Sequence, residues 1–507
     1  MYISRISIEN FRNFYELDTK LARDAVIVGE NAIGKSNLIH GLRLILDPSL
    51  PDSLRQLRPE DFWDGISRPI DDNERIEISI ELADFENDST QVAALADFLV
   101  QAVPMVARLT YEFFAEKSRG RAQWRYRVFG GTDTDNILSN ETRRRIALEW
   151  IPALRDAEAD LANWRRSPAR SALSRAAEEI EPDRKLEIAK RVNRATNKLR
   201  QLKPIARVEK QITDRLASLV GASQSKGISL GFESQDADRL IRSLRLMVDG
   251  GVRPVGEASL GLANSLFLTL RILEIETLAR AHDRDQTFLA IEEPEAHLHP
   301  HLQRTVFKSL LHPRRHLSKR KRARSRRTSL ILTTHSPHIA SVTPVRSIVV
   351  LRTKNGATVA RSTAGLALSR RDREDIERYL DVTRAELLFA RRVLLVEGDA
   401  ELFVVPQIAT QLGLDLDELG VSVCSVSGTN FAPYVKLLRS LTPPLQSRLT
   451  ATPARAKPHS GKCVQQSSKL CSNALGLPAI GGECLLERKR WSPTSLLPDG
   501  MQKSHNR

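Results

Sequence analysis

Two sets of residues in this chain have the types and spacing to handle phosphate. The first is Gly29-Glu30-Asn31-Ala32-Ile33-Gly34-Lys35-Ser36-Asn37, a Gly-x4-Gly-Lys-Ser loop. Its glycines let the backbone curl so that successive N–H groups point at phosphate oxygens, and a helix starting near Lys35 adds the positive end of its dipole. Lys35 can reach the outer phosphates, and the Ser36 hydroxyl can ligate Mg2+. The second is Ile291-Glu292-Glu293-Pro294-Glu295, two adjacent carboxylates closing an apolar stretch. Glu292 would complete the Mg2+ shell, and Glu293 could orient and deprotonate an attacking water. Carboxylates capping a buried strand are costly unless paired with a cation or used. His335 ends Ser329-Leu-Ile-Leu-Thr-Thr-His335, where it can sense a γ-phosphate. This is the chemistry of ATP hydrolysis.

Weaker signals accompany these. Ser259-x-Gly261 opens a long apolar helix reaching Leu278, another place for backbone N–H groups and a hydroxyl to meet an anion. Arg392-Val-Leu-Leu-Val-Glu397-Gly-Asp-Ala-Glu401 is an apolar strand ending in acid. Glu397 and Glu401 would suit Mg2+ or Mn2+ ligation for phosphodiester chemistry, although a strand-Glu-Gly turn is common in its own right. His297, His299 and His301 alternate, but no strand pattern puts them on one face, so they read as polar turn residues.

The positioning elements follow from hydrophobic period. Val26, Ile27 and Val28 form a short apolar run of the buried parallel-strand kind. Leu38, Ile39, Leu42, Ile45 and Leu46 recur at helical spacing behind Lys35. A bare glycine turn with an incidental lysine is the competing reading, and strand, loop and helix in register argue against it. Residues 2–17 suit an edge-leaning strand or hairpin turning at Asn10, and 76–82 and parts of 106–129 alternate as strands. From Arg155 to about Val220 the chain is charged and helical, with Ile188, Val192, Ala195, Leu199 and Leu202 in a heptad-like stripe running up to Pro204. That stripe is either the buried face of a helical subdomain or a dimerisation arm. A strand-like pattern returns from Gly227, strands recur at 392–396 and 421–426, and a helix at 434–441.

With 507 residues, 41% of them apolar, the chain has room for two to four domains with real cores. No apolar run approaches the ~18 residues of a membrane span, and no apolar signal core opens the chain, so a soluble cytoplasmic protein is expected. The net charge of +15 is concentrated: residues 314–327 hold nine Lys/Arg and no acid, and residues 441–507 hold ten against three acids. The rest is close to neutral, so the high charge is no evidence for a broad DNA-binding face. The basic run reads as a solvated surface insertion. None of the four cysteines forms a Cys-x2-Cys pair, which argues against a zinc ribbon or disulfide framework.

Taken together, Asn10-Phe-Arg-Asn-Phe14, the Gly29–Ser36 loop, Ser259-x-Gly261, Ile291-Glu-Glu-Pro-Glu295 and Thr333-Thr-His-Ser-Pro337 resemble the split ATPase of the RecF/SMC/ABC type. With Leu395-Val-Glu-Gly398 added, their order resembles the overcoming-lysogenization-defect (OLD) family of ATP-dependent nucleases, which includes phage-defence nucleases. The resemblance covers roughly residues 1–440. It implies an α/β fold: a split ABC/SMC-type ATPase domain with a helical insertion, then a partial TOPRIM-like domain. The boundaries expected are 1–154 and 227–365 for the ATPase halves, 155–226 for the insertion, 366–441 for linker and partial TOPRIM, and 442–507 for an irregular tail. It implies ATP and Mg2+ (or Mn2+ at the TOPRIM site), DNA as partner, a homodimer or higher homo-oligomer, and in some members a helicase partner. ABC-type logic would set Ser259 and Gly261 of one subunit against a partner's nucleotide, and Glu397 and Glu401 match the first acidic TOPRIM element. The second, an Asp-x-Asp expected after Tyr434–Leu441, is missing: beyond Thr442 the one aspartate is Asp499, and the composition break looks like a truncated or frameshifted reading frame. An intact ATPase with an impaired nuclease is expected. The alternative is a RecF-like DNA-binding or repair ATPase that does not cut.

Overall fold

The computed structural model describes residues 1–66, 74–118, 121–153, 156–200, 202–220, 236–280, 283–296, 298–311, 327–428 and 430–441. The expectations for the tail 442–507, for His297, for the basic run up to 326 and for the pattern at 227–235 lie outside them.

In chain order the strands are β1 (Tyr2–Phe11), β2 (Phe14–Lys20), β3 (Ala25–Val28), β4 (Ile76–Ala83), β5 (Leu99–Ala102), β6 (Met105–Ser118), β7 (Arg121–Gly130) and β8 (Ile146–Ile151). The two-residue β9 (Met247–Val248) and β10 (Arg253–Pro254) follow, then β11 (Gln286–Glu292), β12 (Thr328–Thr334), β13 (Ile348–Lys354), β14 (Ala357–Ser362), β15 (Arg392–Val396) and β16 (Val421–Ser425). Helix α1 (Lys35–Leu46) starts directly at the loop lysine.

Two sheets carry the ATPase part. The first is antiparallel, in the order β2-β1-β4-β6-β5 with β7 also on β6. Here the opening hairpin departs from expectation in two ways. Phe11 pairs with Phe14, so the turn falls at Arg12–Asn13 rather than Asn10, and β1 is an inner strand paired on both sides.

The second sheet runs β14-β13-β3-β12-β11-β8. All its pairings are parallel except β13 with β14. The loop strand β3 is therefore inserted between β12 and β13, strands that arrive some three hundred residues later. Every residue of β3 and β11 is buried, as expected of a parallel sheet covered on both faces. Ile27, Phe288, Ala290, Ile331 and Val349 face one apolar cluster, shared with α1 and the antiparallel sheet. Their alternates Val26, Val28, Leu289, Ile291, Leu332 and Val350 face a second cluster, shared with helices such as Leu260–Arg280 and Pro300–Leu311. Two halves distant in sequence thus form one sheet.

Leu38, Ile39, Leu42, Ile45 and Leu46 of α1 are all buried, as their spacing requires. The orphan carbonyls at the helix's C-terminal end are met by a buried arginine. Arg55 donates to Arg43 O at 3.3 Å, to Leu44 O, to Asp47 O at 2.8 Å and to Leu50 O at 3.2 Å. Arg55→Ala strips these donors from buried carbonyls and is expected to cost about 3 kcal/mol, read as a lower urea midpoint with unchanged slope.

His40 lies on the same helix, stacked on Phe11. Burial, with Arg12 and Arg43 nearby, depresses its pKa from 6.5 to about 4. Between those values the unfolded chain binds the extra proton, so the stabilisation is complete above pH 6.5 and is lost as pH falls toward 4. At about 1.4 kcal/mol per pH unit the loss reaches at most ~3 kcal/mol. The melting temperature should fall through this window, and His40→Gln should flatten the slope.

The insertion is helical, as expected: Ala157–Ala162, Ala169–Glu178, Pro182–Arg200 and Lys203–Val220. Its stripe does not run along one helix. One helix ends at Arg200 and the next begins at Lys203, with Pro204 in its first turn, a position that tolerates proline because no intrahelical N–H bond is lost there. Ile188 and Leu202 are about half exposed rather than buried. The strand-like reading fails for the described residues 236–258, which hold a short helix, 3-10 turns and only β9 and β10.

The C-terminal element is a separate two-stranded parallel sheet, β15 with β16, connected through helix Asp399–Gln411 and followed by helix Ala432–Leu441. Leu395, Cys424, Val426, Tyr434 and Leu437 join the same apolar cluster as Val26 and Ile291, so this piece packs against the ATPase core.

Candidate nucleotide and metal site

The loop enters α1 through Gly34, whose φ of 98° is left-handed and closed to ordinary side chains. Space forbids a side chain there too: a Cβ would come within 2.0 Å of Asn13 Nδ2. Asn13 holds the loop from below. Its Nδ2 donates to Ile33 O at 2.9 Å and to Thr358 Oγ1 at 2.7 Å, and its Oδ1 accepts from Asn37 Nδ2 at 2.6 Å. Arg12 in turn donates to Asn37 Oδ1 at 2.7 Å. Asn37 therefore braces the loop. Asn31 is exposed on it.

Lys35 is buried, and its ammonium points back over the loop. Nζ donates to Gly29 O at 3.1 Å and Glu30 O at 2.9 Å, and lies 3.3 Å from His335 Nδ1. Burial lowers its pKa, while the charges of Glu293, Glu295 and Glu292 oppose the shift. On its other edge His335 Nε2 is 2.9 Å from Glu293 Oε1. The tautomer that satisfies both contacts carries the proton on Nε2, donating to Glu293, and accepts from Lys35 on Nδ1. Glu295 fixes this histidine: its Oε1 accepts from His335 N at 2.6 Å and from Thr334 Oγ1 at 2.8 Å.

Glu293 has φ 41°, a strained value for a non-glycine residue, held by its N–H bonding Thr333 O at 3.0 Å. Ser36 Oγ donates to Glu292 Oε2 at 2.5 Å, and the other carboxylate oxygen accepts from Trp150 Nε1 at 2.6 Å. Lys35, Ser36, Glu292, Glu293 and His335 are thus brought to one place from three strand ends. A hydroxyl facing a carboxylate is an oxygen donor set of the kind Mg2+ takes, and the curled loop with a lysine across its mouth has the donors for a polyphosphate. The residues present fit both groups.

The other candidates lie elsewhere. Ser259 is exposed at the start of its helix, with its hydroxyl 3.4 Å from Leu262 N, and Gly261 is half-buried nearby. Glu397 is exposed at the end of β15. Glu401 accepts from Gly398 N at 3.2 Å, closing the first turn of its helix in a capping box. Among the described residues no three His, Cys, Asp or Glu side chains cluster as a metal site. His299 and His301 are exposed and stacked on each other, but His301 lies in the first turn of the helix Pro300–Leu311 rather than in a loop turn. Glu30 pairs with Arg391 Nε at 3.0 Å, linking the loop to the residue just before β15.

Sequence reasoning passed over Trp150, Glu295, Asn13 and Thr358 as site residues. Asn13 and Glu295 lie inside stretches already marked as informative. Trp150 and Thr358 have no local signal and are delivered by sheet pairing alone.

A phosphate-loop motif following β3, an acidic end on β11 and a histidine following β12, all at one edge of the same parallel sheet, are the parts of a P-loop ATPase of α/β type. Residues 25–341 match the family model described as AAA domain, putative AbiEii toxin, Type IV TA system, and the chain belongs to that family. Residues 388–445 match the overcoming lysogenization defect protein-like TOPRIM domain. Among curated proteins, the chain is 26% identical over 450 residues to the OLD nuclease of Thermus scotoductus, covering 84% of this chain and 77% of that one. It is 23% identical over 458 residues to the endonuclease GajA of Bacillus cereus, covering 87% of this chain and 73% of that one. A solved SMC head bound to the C-winged helix domain of ScpA covers 73% of this chain and 99% of that one, at 15% identity and TM-score 0.39. The chain is an AAA-type ATPase followed by a segment that matches the OLD-like TOPRIM domain, and the relatives it resembles include proteins named as nucleases. No described helix is long and apolar enough to cross a membrane.

Proposed function

We propose that the protein hydrolyses ATP at the Lys35–Glu292–Glu293–His335 site and uses that turnover to act on DNA as a member of the OLD nuclease group. The observation carrying this reading is the Ser36 Oγ–Glu292 Oε2 contact of 2.5 Å, which joins the loop to the acidic strand end. Lys35 exchanges its bonds to loop carbonyls for the outer phosphate oxygens. Gly29, Glu30, Asn31, Gly34 and Asn37 frame the phosphates through backbone N–H groups and loop bracing. Ser36 and Glu292 would hold Mg2+, which when bound neutralises charge on the phosphate oxygens. Glu293 orients the attacking water and takes its proton, and His335 reads the γ-phosphate from between Lys35 and Glu293.

Two further elements are part of the proposal. Ser259 and Gly261 complete the nucleotide site of a second copy, and the exposed apolar residues Leu186, Ile188, Ile205, Val208 and Ile212 of the insertion make the dimer contact. Glu397 and Glu401 supply a first metal-binding element of the TOPRIM part, but cutting is impaired because no Asp-x-Asp follows residue 434 in this chain. The engagement of Glu401 as a helix cap favours the second reading, a RecF-like ATPase that binds DNA without cutting it.

Purified protein with ATP, Mg2+ or Mn2+ and supercoiled plasmid separates these readings. Phosphate release is expected in each. Slow nicking abolished by Glu397→Ala supports the nuclease reading, and plasmid left intact supports the other. No phosphate release under any condition overturns the proposal.

A further inference from the structure

The contact of Trp150 with Glu292 has no place in the function above, yet its geometry is specific. Trp150 on β8 lies opposite Ala290 on β11 in the parallel register. Ala290 and Glu292 are two residues apart and share a face of the strand, so the indole of Trp150 is set to reach forward to the Glu292 carboxylate. It does so with Nε1 at 2.6 Å from Oε1, while Ser36 takes Oε2. The ring is covered in turn by Arg43, whose guanidinium carbon sits 3.6 Å from the ring centroid. Arg43 is anchored by Asp47 Oδ2 at 2.9 Å. Ser36 and Arg43 are seven residues apart on α1, two helical turns, so one face of the loop helix grips both ends of the Trp150–Glu292 pair. Trp150 is half-buried, and its indole N–H bonds the one carboxylate offered to the metal.

We propose that Trp150 is a positioning residue for metal binding: the Trp150 N–H, clamped by Arg43, fixes the Glu292 carboxylate so that Oε2 is presented beside Ser36 for a divalent cation. This rests on the nucleotide-site reading. Oriented outer-shell hydrogen bonds to a ligating carboxylate are worth about 10–100-fold in metal affinity. The indole also makes this contact observable, because its emission responds to the charge on the carboxylate it bonds.

The test uses the full chain and a fluorescent ATP analogue titrated with Mg2+, in wild type, Trp150→Phe and Arg43→Gln. Phenylalanine keeps a ring under Arg43 and removes only the N–H. The expected result is a half-saturating Mg2+ concentration about 10-fold higher for Trp150→Phe. Metal-free nucleotide binding should not change, and any loss of melting temperature should be the same with and without Mg2+. Arg43→Gln should move the same curve in the same direction. In wild type, Mn2+ without nucleotide should quench an indole component that Trp150→Phe lacks. Wild-type Mg2+ dependence in both variants overturns the role of Trp150 and leaves the nucleotide site standing. Failure of the wild type to bind the analogue at any Mg2+ concentration overturns both.

Discussion

Glu293→Gln is expected to bind Mg2+·ATP normally and to turn it over about a thousand-fold more slowly, the usual scale for losing a positioned general base. The substitution is nearly isosteric. The amide oxygen can still accept from His335 Nε2, the 2.9 Å contact in the native site, and the strained φ of 41° is unaffected. Only the capacity to take a proton disappears. Single-turnover phosphate release, read beside equilibrium binding of the same nucleotide, separates the two quantities. A variant that binds and hydrolyses like the wild type would remove Glu293 from the chemistry.

The second large effect belongs to Lys35→Ala. Here both nucleotide affinity and turnover should fall, turnover by a factor on the order of 100–1,000, the scale seen when one preorganised donor is removed. The ammonium is buried and makes its contacts to Gly29 O, Glu30 O and His335 Nδ1, so its loss also frees the loop carbonyls and the histidine. Lys35→Arg should not restore activity, because a planar fork cannot occupy the space of a compact point charge. The contrast with Glu293→Gln is diagnostic: one variant loses the substrate, the other only the reaction.

What could be read from the sequence was whatever the chain writes contiguously. The loop and helix α1 follow one another within a single run, and β3 together with Phe288–Ile291 of β11 announce themselves as short apolar segments. The site assembles from them because parallel pairing sets β3 beside β12, and β12 beside β11. Pairing is also where local reading stops. Trp150 and Thr358 reach the site only through neighbours on other strands, Ala290 opposite one and Lys354–Ala357 turning the other back toward Asn13. The opening turn lies two residues beyond Asn10, because Asn10, with φ 57°, adopts the left-handed conformation that asparagine favours without ending the strand. Arg12, with φ 53°, does so at the turn itself. In the insertion, Pro204 lies in the first turn of a helix rather than at the end of one.

The most direct measurement is a structure of the full chain with Mg2+ and a non-hydrolysable ATP analogue. The expected result has the Ser36 hydroxyl and a Glu292 carboxylate oxygen both on the cation, Lys35 Nζ on the outer phosphates, and Glu293 within one water of the terminal phosphorus. A triphosphate held away from Glu292 and Glu293, touching the loop alone or some other surface, would contradict the shared site.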